Sequence, residues 1–446
     1  MENVIYNNTN TNTNTEINIV NQAEIKTDIF SKIYNRIKNL KIAKTKKDLK
    51  NDVIYFEFCD RGMNLYRIYE SGKMFLQEFK IFPRFEYDNN IIIGSHNSDL
   101  LLKMNTDDFI KYFSGINVND FSFTISQIDH YEQTVIQIKQ GKYNKFFVPV
   151  LNTEKTVINI IPKIDNFVFK NEISVRGDDL LDMIKTKKCF IANNDFRKSL
   201  ENLNMILPEI SCINTYIDVY SCDGHRGNIG KLWTSYAGKN KNVSKNNILI
   251  PKNILLFLEK DIKANKKENL SRNYIIEFSD NYCNISLEND SGFNLGFKPD
   301  SENYPNIKMI IPNNHIDHSF NIRISELKKG LESIKEYTNK LHHAVIITGT
   351  EANNHILLKG TKKDEHASDN ITAIQKYNKT IQLNAEKEFN MFDFEIALSC
   401  DYLIDICKSL DSKYTSLEFQ FIAKSNIVKI TNTENRDIII ISKIVL

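Results

Sequence analysis

A short strand leading into an amphipathic helix, then a second helix, then a pair of alternating strands recur three times in this chain. That order limits the architecture before any motif is read. The strand–helix segments are Ile25–Leu40, Ile173–Phe190 and Ile322–Lys340, whose starts lie about 149 residues apart. Leu180, Leu181 and Ile184 in the second, and Leu327, Leu331 and Ile334 in the third, each share one helix face. A second helix follows some 75–80 residues later, at Asn105–Gly115, Pro251–Ile262 and Ser399–Leu410. Paired strands with apolar residues at alternate positions come next: Phe121–Ile125 with Thr134–Lys139, Tyr274–Phe278 with Tyr282–Leu287, and Leu417–Phe421 with Ile427–Ile430. Helices and hairpins recur in many α+β chains, but here the order is kept in all three copies. The reading is an α+β chain of three tandem units, residues 23–170, 171–316 and 317–446, behind a flexible Asn/Thr-rich tail at 1–22. Units in series, each with one sheet face to cover, predict a curved array with its helices on one side.

Composition removes several alternatives. With 41% hydrophobic and 26% charged residues, the chain has the make-up of a globular protein rather than a disordered one. No run approaches the roughly 18 apolar residues needed to cross a bilayer, and the start Met1-Glu2-Asn3 shows no signal peptide, so a cytoplasmic protein without membrane contact is expected. The seven cysteines are scattered and form no C-x-x-C pair, the pattern of reduced core residues rather than of a disulfide or zinc framework. No phosphate-binding glycine loop is present.

Net charge is only +2, so the placement of charge matters more than its sum. Ser31–Lys50 carries Lys32, Arg36, Lys38, Lys41, Lys44, Lys46, Lys47 and Lys50 against Asp48 alone. Lys252, Lys260, Lys263, Lys266 and Lys267 surround the helix after Pro251, facing Glu259 and Asp261. Arg323, Lys328, Lys329, Lys335 and Lys340 lie on the third-unit helix with three Glu. Each cluster alone reads as a solvated helix face. Three on equivalent helices suit sequence-independent contact with a phosphate backbone, not base reading.

Ser221-Cys-Asp-Gly-His-Arg226 is the most distinctive hexapeptide. A Cys/His hydrolase built on Cys222 and His225 is one reading, but Asp-Gly makes a turn and the spacing does not bring thiol and imidazole together. His315-Ile-Asp-His318 lacks further ligands for a metal. No catalytic constellation, metal site or cofactor site emerges.

Phe190-Ile-Ala-Asn-Asn-Asp-Phe-Arg-Lys-Ser-Leu200, followed by Asp223-Gly-His-Arg226, resembles the middle domain of the bacterial DNA polymerase III beta subunit, the DNA sliding clamp family. Ile250-Pro-Lys, Tyr304-Pro-Asn-Ile-Lys-Met-Ile-Ile-Pro312 and Ile438-Ile-Ile-Ile-Ser-Lys-Ile-Val-Leu446 agree in order and spacing. The resemblance runs from about residue 23 to 446 and is faint in the first unit. It implies a DNA clamp fold, three tandem copies of a two-helix plus antiparallel-sheet domain forming half of a ring. It also implies a non-enzymatic processivity factor of DNA replication, a homodimer that encircles duplex DNA and needs no cofactor. DNA polymerase and clamp loader subunits are the implied partners, held through short linear motifs. A clamp-derived interaction scaffold that does not encircle DNA is the alternative.

Carried over position by position, the family's partner-peptide pocket falls on Leu200, Cys222, Gly224, His225, Arg226, Pro305, Met309, Ile310, Asp401, Ile440, Ser442, Lys443, Ile444 and Leu446. Gly227 stands where the family has a leucine, which implies an enlarged sub-pocket, and Met309 stands where it often has an arginine. DNA-facing positions implied are Lys46, Lys47, Asn194 and Lys198. The implied dimer contact sets Phe146 and Val148, on an edge strand, opposite Glu336 and Tyr337 of a second copy.

Overall fold

The computed structural model describes residues 18–40, 52–59, 62–69, 74–81, 100–116, 122–130, 133–140, 143–147, 151–154, 171–193, 195–208, 211–238, 247–264, 269–279, 282–288, 290–299, 303–312, 316–338, 343–350, 353–363, 376–384, 393–410, 415–432 and 435–444. All six helices read from the sequence form: α1 Thr27–Asn39, α2 Thr106–Phe113, α3 Gly177–Lys187, α4 Lys252–Ala264, α5 Ile324–Ile334 and α6 Cys400–Leu410. The three hairpins form as well, at Ser122–His130 with Gln133–Gln140, Asn273–Phe278 with Cys283–Leu287, and Ser416–Phe421 with Ile427–Asn432. The chain divides into two units, one of Met1–Lys38, Ala43–Phe167 and Asp290–Phe297, the other of the remaining residues.

In the first unit, Phe30, Ile33 and Ile37 repeat at helical spacing on α1 and are buried. Phe30 lies 5.4 Å from Phe113 of α2, and Phe109 lies 5.9 Å from Phe56 of the strand Asp52–Cys59, ring to ring. Asn105 caps α2, its side chain accepting from the Asp107 N–H at 2.9 Å, with Asp107 and Asp108 in the first turn where the helix dipole favours them. Two antiparallel sheets complete the unit. One runs Asn18–Lys26, Ser122–His130, Gln133–Gln140, Tyr143–Phe147. The other runs Asp290–Phe297, Met74–Ile81, Gly62–Tyr69, Asp52–Cys59, Leu100–Asn105, Leu151–Glu154. A buried guanidinium ties these elements together. Arg67 donates to both Asp52 carboxylate oxygens at 2.9 and 2.7 Å and to the Ile37 carbonyl at 2.5 Å, while Thr106 Oγ1 donates to Asp52 at 2.7 Å.

In the second unit, α3 and α4 lie on a sheet whose strand Arg226–Gly238 pairs along one edge with Cys212–Cys222. Along its other edge, residues near its end pair with Asn171–Arg176, and residues 226–229 pair with Asn435–Ser442. That last pairing carries the sheet on through Ile427–Asn432 and Ser416–Phe421 to His318–Arg323. Residues 171–316 and 317–446 therefore share one hydrogen-bonded sheet. A four-stranded sheet, Lys376–Asn384, Asn353–Lys363, Ala344–Thr350 and Phe394–Ser399, lies beside α5 and α6. Leu327, Leu331 and Ile334 of α5 meet Leu403, Ile404 and Cys407 of α6 in one core, with Phe320, Phe419, Val428 and Ile439 from the long shared sheet.

Candidate functional site

The chain reverses between Cys212–Cys222 and Arg226–Gly238 across Asp223-Gly224-His225. Gly224 takes φ 91°, a left-handed conformation that side-chain-bearing residues avoid, and a Cβ there would lie 2.3 Å from Arg197 Nη2. Asp223 Oδ1 accepts from the backbone N–H groups of His225 and Arg226 at 3.0 and 2.9 Å, an Asx turn that fixes the reversal. Arg226 then points inward, its side chain only 7% exposed. It donates from Nε to Asp223 at 2.9 Å, from Nη1 to Asp405 of α6 at 3.2 Å, and from Nη2 to the Cys189 carbonyl at 2.6 Å. Its guanidinium also stacks 4.1 Å from the Tyr402 ring centre. Sequence reading sets Arg226 on the polar edge of a pocket; the fold makes it a buried tie between the turn and α6.

Beside the turn lies a cluster of Ala192, Leu200, Tyr220, Cys222, Ile229, Ile307 and Ile440, flanked by Tyr304, Ile311, Ile427 and Ile438. Strand alternation explains its membership. Tyr220 and Cys222 share a face with Ile229 and Gly227 opposite them, and Ile438 and Ile440 continue it on the next strand. The 3₁₀ turn Ile307–Ile310 closes one side, burying Ile307 while leaving Met309 81% and Ile310 50% exposed. Pro305 lies just before that turn, its carbonyl accepting from Ile307 N–H at 3.0 Å. The last strand is held to the site by its backbone: Ser442 N–H donates to the His225 carbonyl at 2.9 Å and Ile444 N–H to Ala397 at 2.8 Å. Lys443 Nζ donates to the carbonyls of Ile422 and Ala423, and burial lowers its pKa.

Of the implied pocket residues, the fold thus brings together Leu200, Cys222 and Ile440, with Gly224, His225, Arg226, Ser442, Pro305, Met309 and Ile310 on the adjoining turns and strands. Asp401, on the first turn of α6, pairs with Lys335 at 2.8 Å. Leu446 lies outside the described residues. A Cβ on Gly227 would sit 3.2 Å from the Ile440 side chain, so Ile440 packs directly against this glycine. Cys222 is buried, its Sγ accepts from the Gly224 N–H at 3.3 Å, and desolvation pushes the thiol up, the reverse of what a thiolate nucleophile requires. Among the described residues no group of three or more His, Cys, Asp or Glu is placed to hold a metal.

Sequence reasoning missed three groups. Arg197 covers Gly224, and its pairing with Asp195 draws the Asp195 pKa down. Lys308 pairs with Asp218 at 2.8 Å and lies 5.3 Å over the Tyr220 ring. On the opposite face of the same sheet, Lys187 of α3 is 2% exposed, donating to Asn228 and to Asp437 at 2.8 Å. Gly230 makes room for that pair, since a Cβ there would lie 1.9 Å from Asp437 and 2.0 Å from the Lys187 ammonium. Position parity along Cys212–Cys222 could have found Asp218; nothing local marks a buried lysine.

The basic helix faces need correction. Arg36 is buried, its guanidinium 4.4 Å from the Phe293 ring centre, so it is not part of a solvent-facing stripe. Glu259 pairs with both Lys188 and Lys263, and Lys252 turns back to the Ile191 carbonyl at 2.6 Å. Lys198 is exposed and pairs with Glu201 at 2.9 Å; Lys46, Lys47 and Asn194 lie outside the described residues. Lys32, Lys260 and Lys329 are exposed, one on each of α1, α4 and α5. Of the dimer positions, Phe146 lies on Tyr143–Phe147, the last strand of its sheet among the described residues, and Val148 lies outside them. Glu336 and Tyr337 form the 3₁₀ turn after α5, with Tyr337 packed on the core.

No protein-family model matches this chain, and no curated protein matches it by sequence. Solved structures do. A DNA polymerase sliding clamp from Pseudomonas aeruginosa superposes with TM-score 0.72 at 11% identity, over 95% of this chain and 100% of its own. The sliding clamp from Bacillus subtilis gives 0.72 at 14%, over 95% and 99%, and a beta clamp from H. pylori gives 0.69 at 14%, over 95% and 100%. The resemblance drawn from the sequence therefore holds for the architecture, and this chain carries the fold of the bacterial DNA polymerase III beta-subunit sliding clamps.

Proposed function

We propose that this protein is a DNA sliding clamp, a non-enzymatic processivity factor. In this reading a tail at 1–22 precedes three domains, 23–170, 171–316 and 317–446, and two copies close a ring around duplex DNA. The observation that supports it most is the extent of the likeness: 95% of this chain corresponds to the whole length of known clamps. A ring holds DNA by topology, so its lysines need only keep the duplex centred and sliding, and the many charges neutralised by neighbouring carboxylates are compatible with weak, sequence-independent contact. Polymerase and clamp loader subunits dock by short motifs on the apolar cluster beside Asp223–Arg226, with His225 and the exposed Met309 and Ile310 at its rim.

Light scattering should give a solution mass of twice 51.9 kDa. Phe146→Ala with Val148→Asp should reduce it to that of a monomer. Loaded protein should stay on closed circular DNA and slide off linear DNA, and replacing Lys46, Lys47 and Lys198 by Glu should weaken retention. A monomeric wild type retained equally on both DNAs selects the second reading, a clamp-derived scaffold that does not encircle DNA. The burial of Arg36, which takes one cation out of the helix face, favours that alternative.

The pocket has its own test. Deleting Ile444–Leu446 removes the backbone bond from Ile444 to Ala397 and the apolar chain end. A peptide with Gln followed by a Leu-Phe pair should bind the intact protein at micromolar strength and the truncated one not measurably, with solution mass unchanged. Equal affinity for both moves the partner site elsewhere.

A further inference from the structure

One face of the hairpin Cys212–Cys222 and Arg226–Gly238 carries three cross-strand pairs in series. Tyr220 stands opposite Ile229, Asp218 opposite Lys231, and Tyr216 opposite Trp233. Alternation puts all six side chains on the face that bears the candidate pocket. The first pair belongs to the pocket's apolar cluster. The third is an edge-to-face aromatic pair with ring centroids 4.6 Å apart, Tyr216 46% and Trp233 39% exposed. Lys308 joins the first pair to the second, bonded to Asp218 and lying over Tyr220. Lys231 is exposed next to Trp233 on the same strand face. Trp233 is the only tryptophan in the chain. Half-exposed aromatic pairs of this kind supply rigid contact area at interfaces.

Resting on the pocket reading above, we infer that the partner site continues along this strip. The segment flanking a pocket-bound motif lies extended on it, an acidic residue against Lys231 and a proline or aromatic ring on Tyr216 and Trp233. Two features choose this occupant. The strip is continuous with the pocket by strand register, and its charges among the described residues, Lys231 and Lys308 against Asp218, leave a positive excess. Reach agrees as well: Tyr220 to Tyr216 is four strand residues, about 13 Å, which roughly four residues of extended peptide span.

The test uses the full chain and three tryptophan-free peptides: the Gln/Leu-Phe motif alone, and the motif with an added Glu-Glu-Pro-Phe flank at either end. One flanked peptide should bind about tenfold tighter than the motif alone, a gain of about 1.4 kcal/mol. It should also shift the Trp233 emission on saturation. Trp233→Ala and Lys231→Glu should each remove most of that gain and leave the affinity of the bare motif unchanged. Trp233→Phe, which keeps a ring there, should retain most of it and guards against misfolding. No gain from either flank, or a gain that survives both Trp233→Ala and Lys231→Glu, overturns the inference. If the bare motif fails to bind, or binds equally after deletion of Ile444–Leu446, the pocket reading itself has failed and the inference falls with it.

Discussion

Asp437→Ala should destabilise the second unit by about 3–5 kcal/mol, because it removes the carboxylate paired with a Lys187 ammonium that is 2% exposed. Lys187 is 2% exposed and its charged partner in the ion pair is Asp437, at 2.8 Å; Asn228, also bonded to it, supplies only a neutral amide oxygen. The pair joins α3 to the last strand, Asn435–Ser442, and so links residues that are 250 positions apart. Removing both charges together, as Lys187→Met with Asp437→Leu, should recover most of the loss, since no desolvated charge then remains from the pair. Gly230→Ala should behave like the single variant, its methyl group falling where carboxylate and ammonium now sit. Urea unfolding followed by Trp233 emission checks all three. A loss below about 1 kcal/mol for Asp437→Ala, the range of an exposed pair, would show that water reaches the site.

The second large effect is expected at Arg226. Arg226→Ala removes a guanidinium that bonds Asp223, Asp405 and the Cys189 carbonyl and stacks on Tyr402. The Asp223 carboxylate, 13% exposed, loses its charge partner, which should cost on the order of 3–5 kcal/mol. Peptide binding should fall with it, because the turn that sets Gly224 and His225 beside the apolar cluster is no longer fixed to α6. Arg226→Lys should rescue little: one ammonium cannot reach two carboxylates and a carbonyl at once, as the planar fork does. Thermal unfolding and calorimetric peptide titration on the same variants separate the two consequences. Full binding by a folded Arg226→Ala protein would free the pocket from any dependence on this tie.

What the sequence determined by itself was periodicity and turn chemistry. Leu327, Leu331 and Ile334 can share a face only on a helix, and the alternating residues of Leu417–Phe421 suit only a half-buried strand, so α5 and the hairpins were legible from local spacing. The Asp223-Gly224 turn was legible for the same reason, since an Asx turn and a left-handed glycine are encoded within four residues. Direction and burial of charge were decided only by the tertiary structure. Arg36 reads as one of eight basic residues on a solvated stretch, yet α1 turns it onto Phe293, far away in the chain. Lys187 and Arg226 look like surface cations and are interior ties, because their partners, Asp437 and Asp405, come from the end of the chain. The pocket cluster needed the same long-range event. Leu200 reaches Cys222 because Asn202–Ile206 pairs with Cys212–Cys222, and Ile440 joins them because Asn435–Ser442 hydrogen-bonds to residues 226–229. Local sequence fixes conformation through sterics over a few residues, whereas which charge is desolvated, and by what it is compensated, depends on contacts that exist only once the sheet has closed.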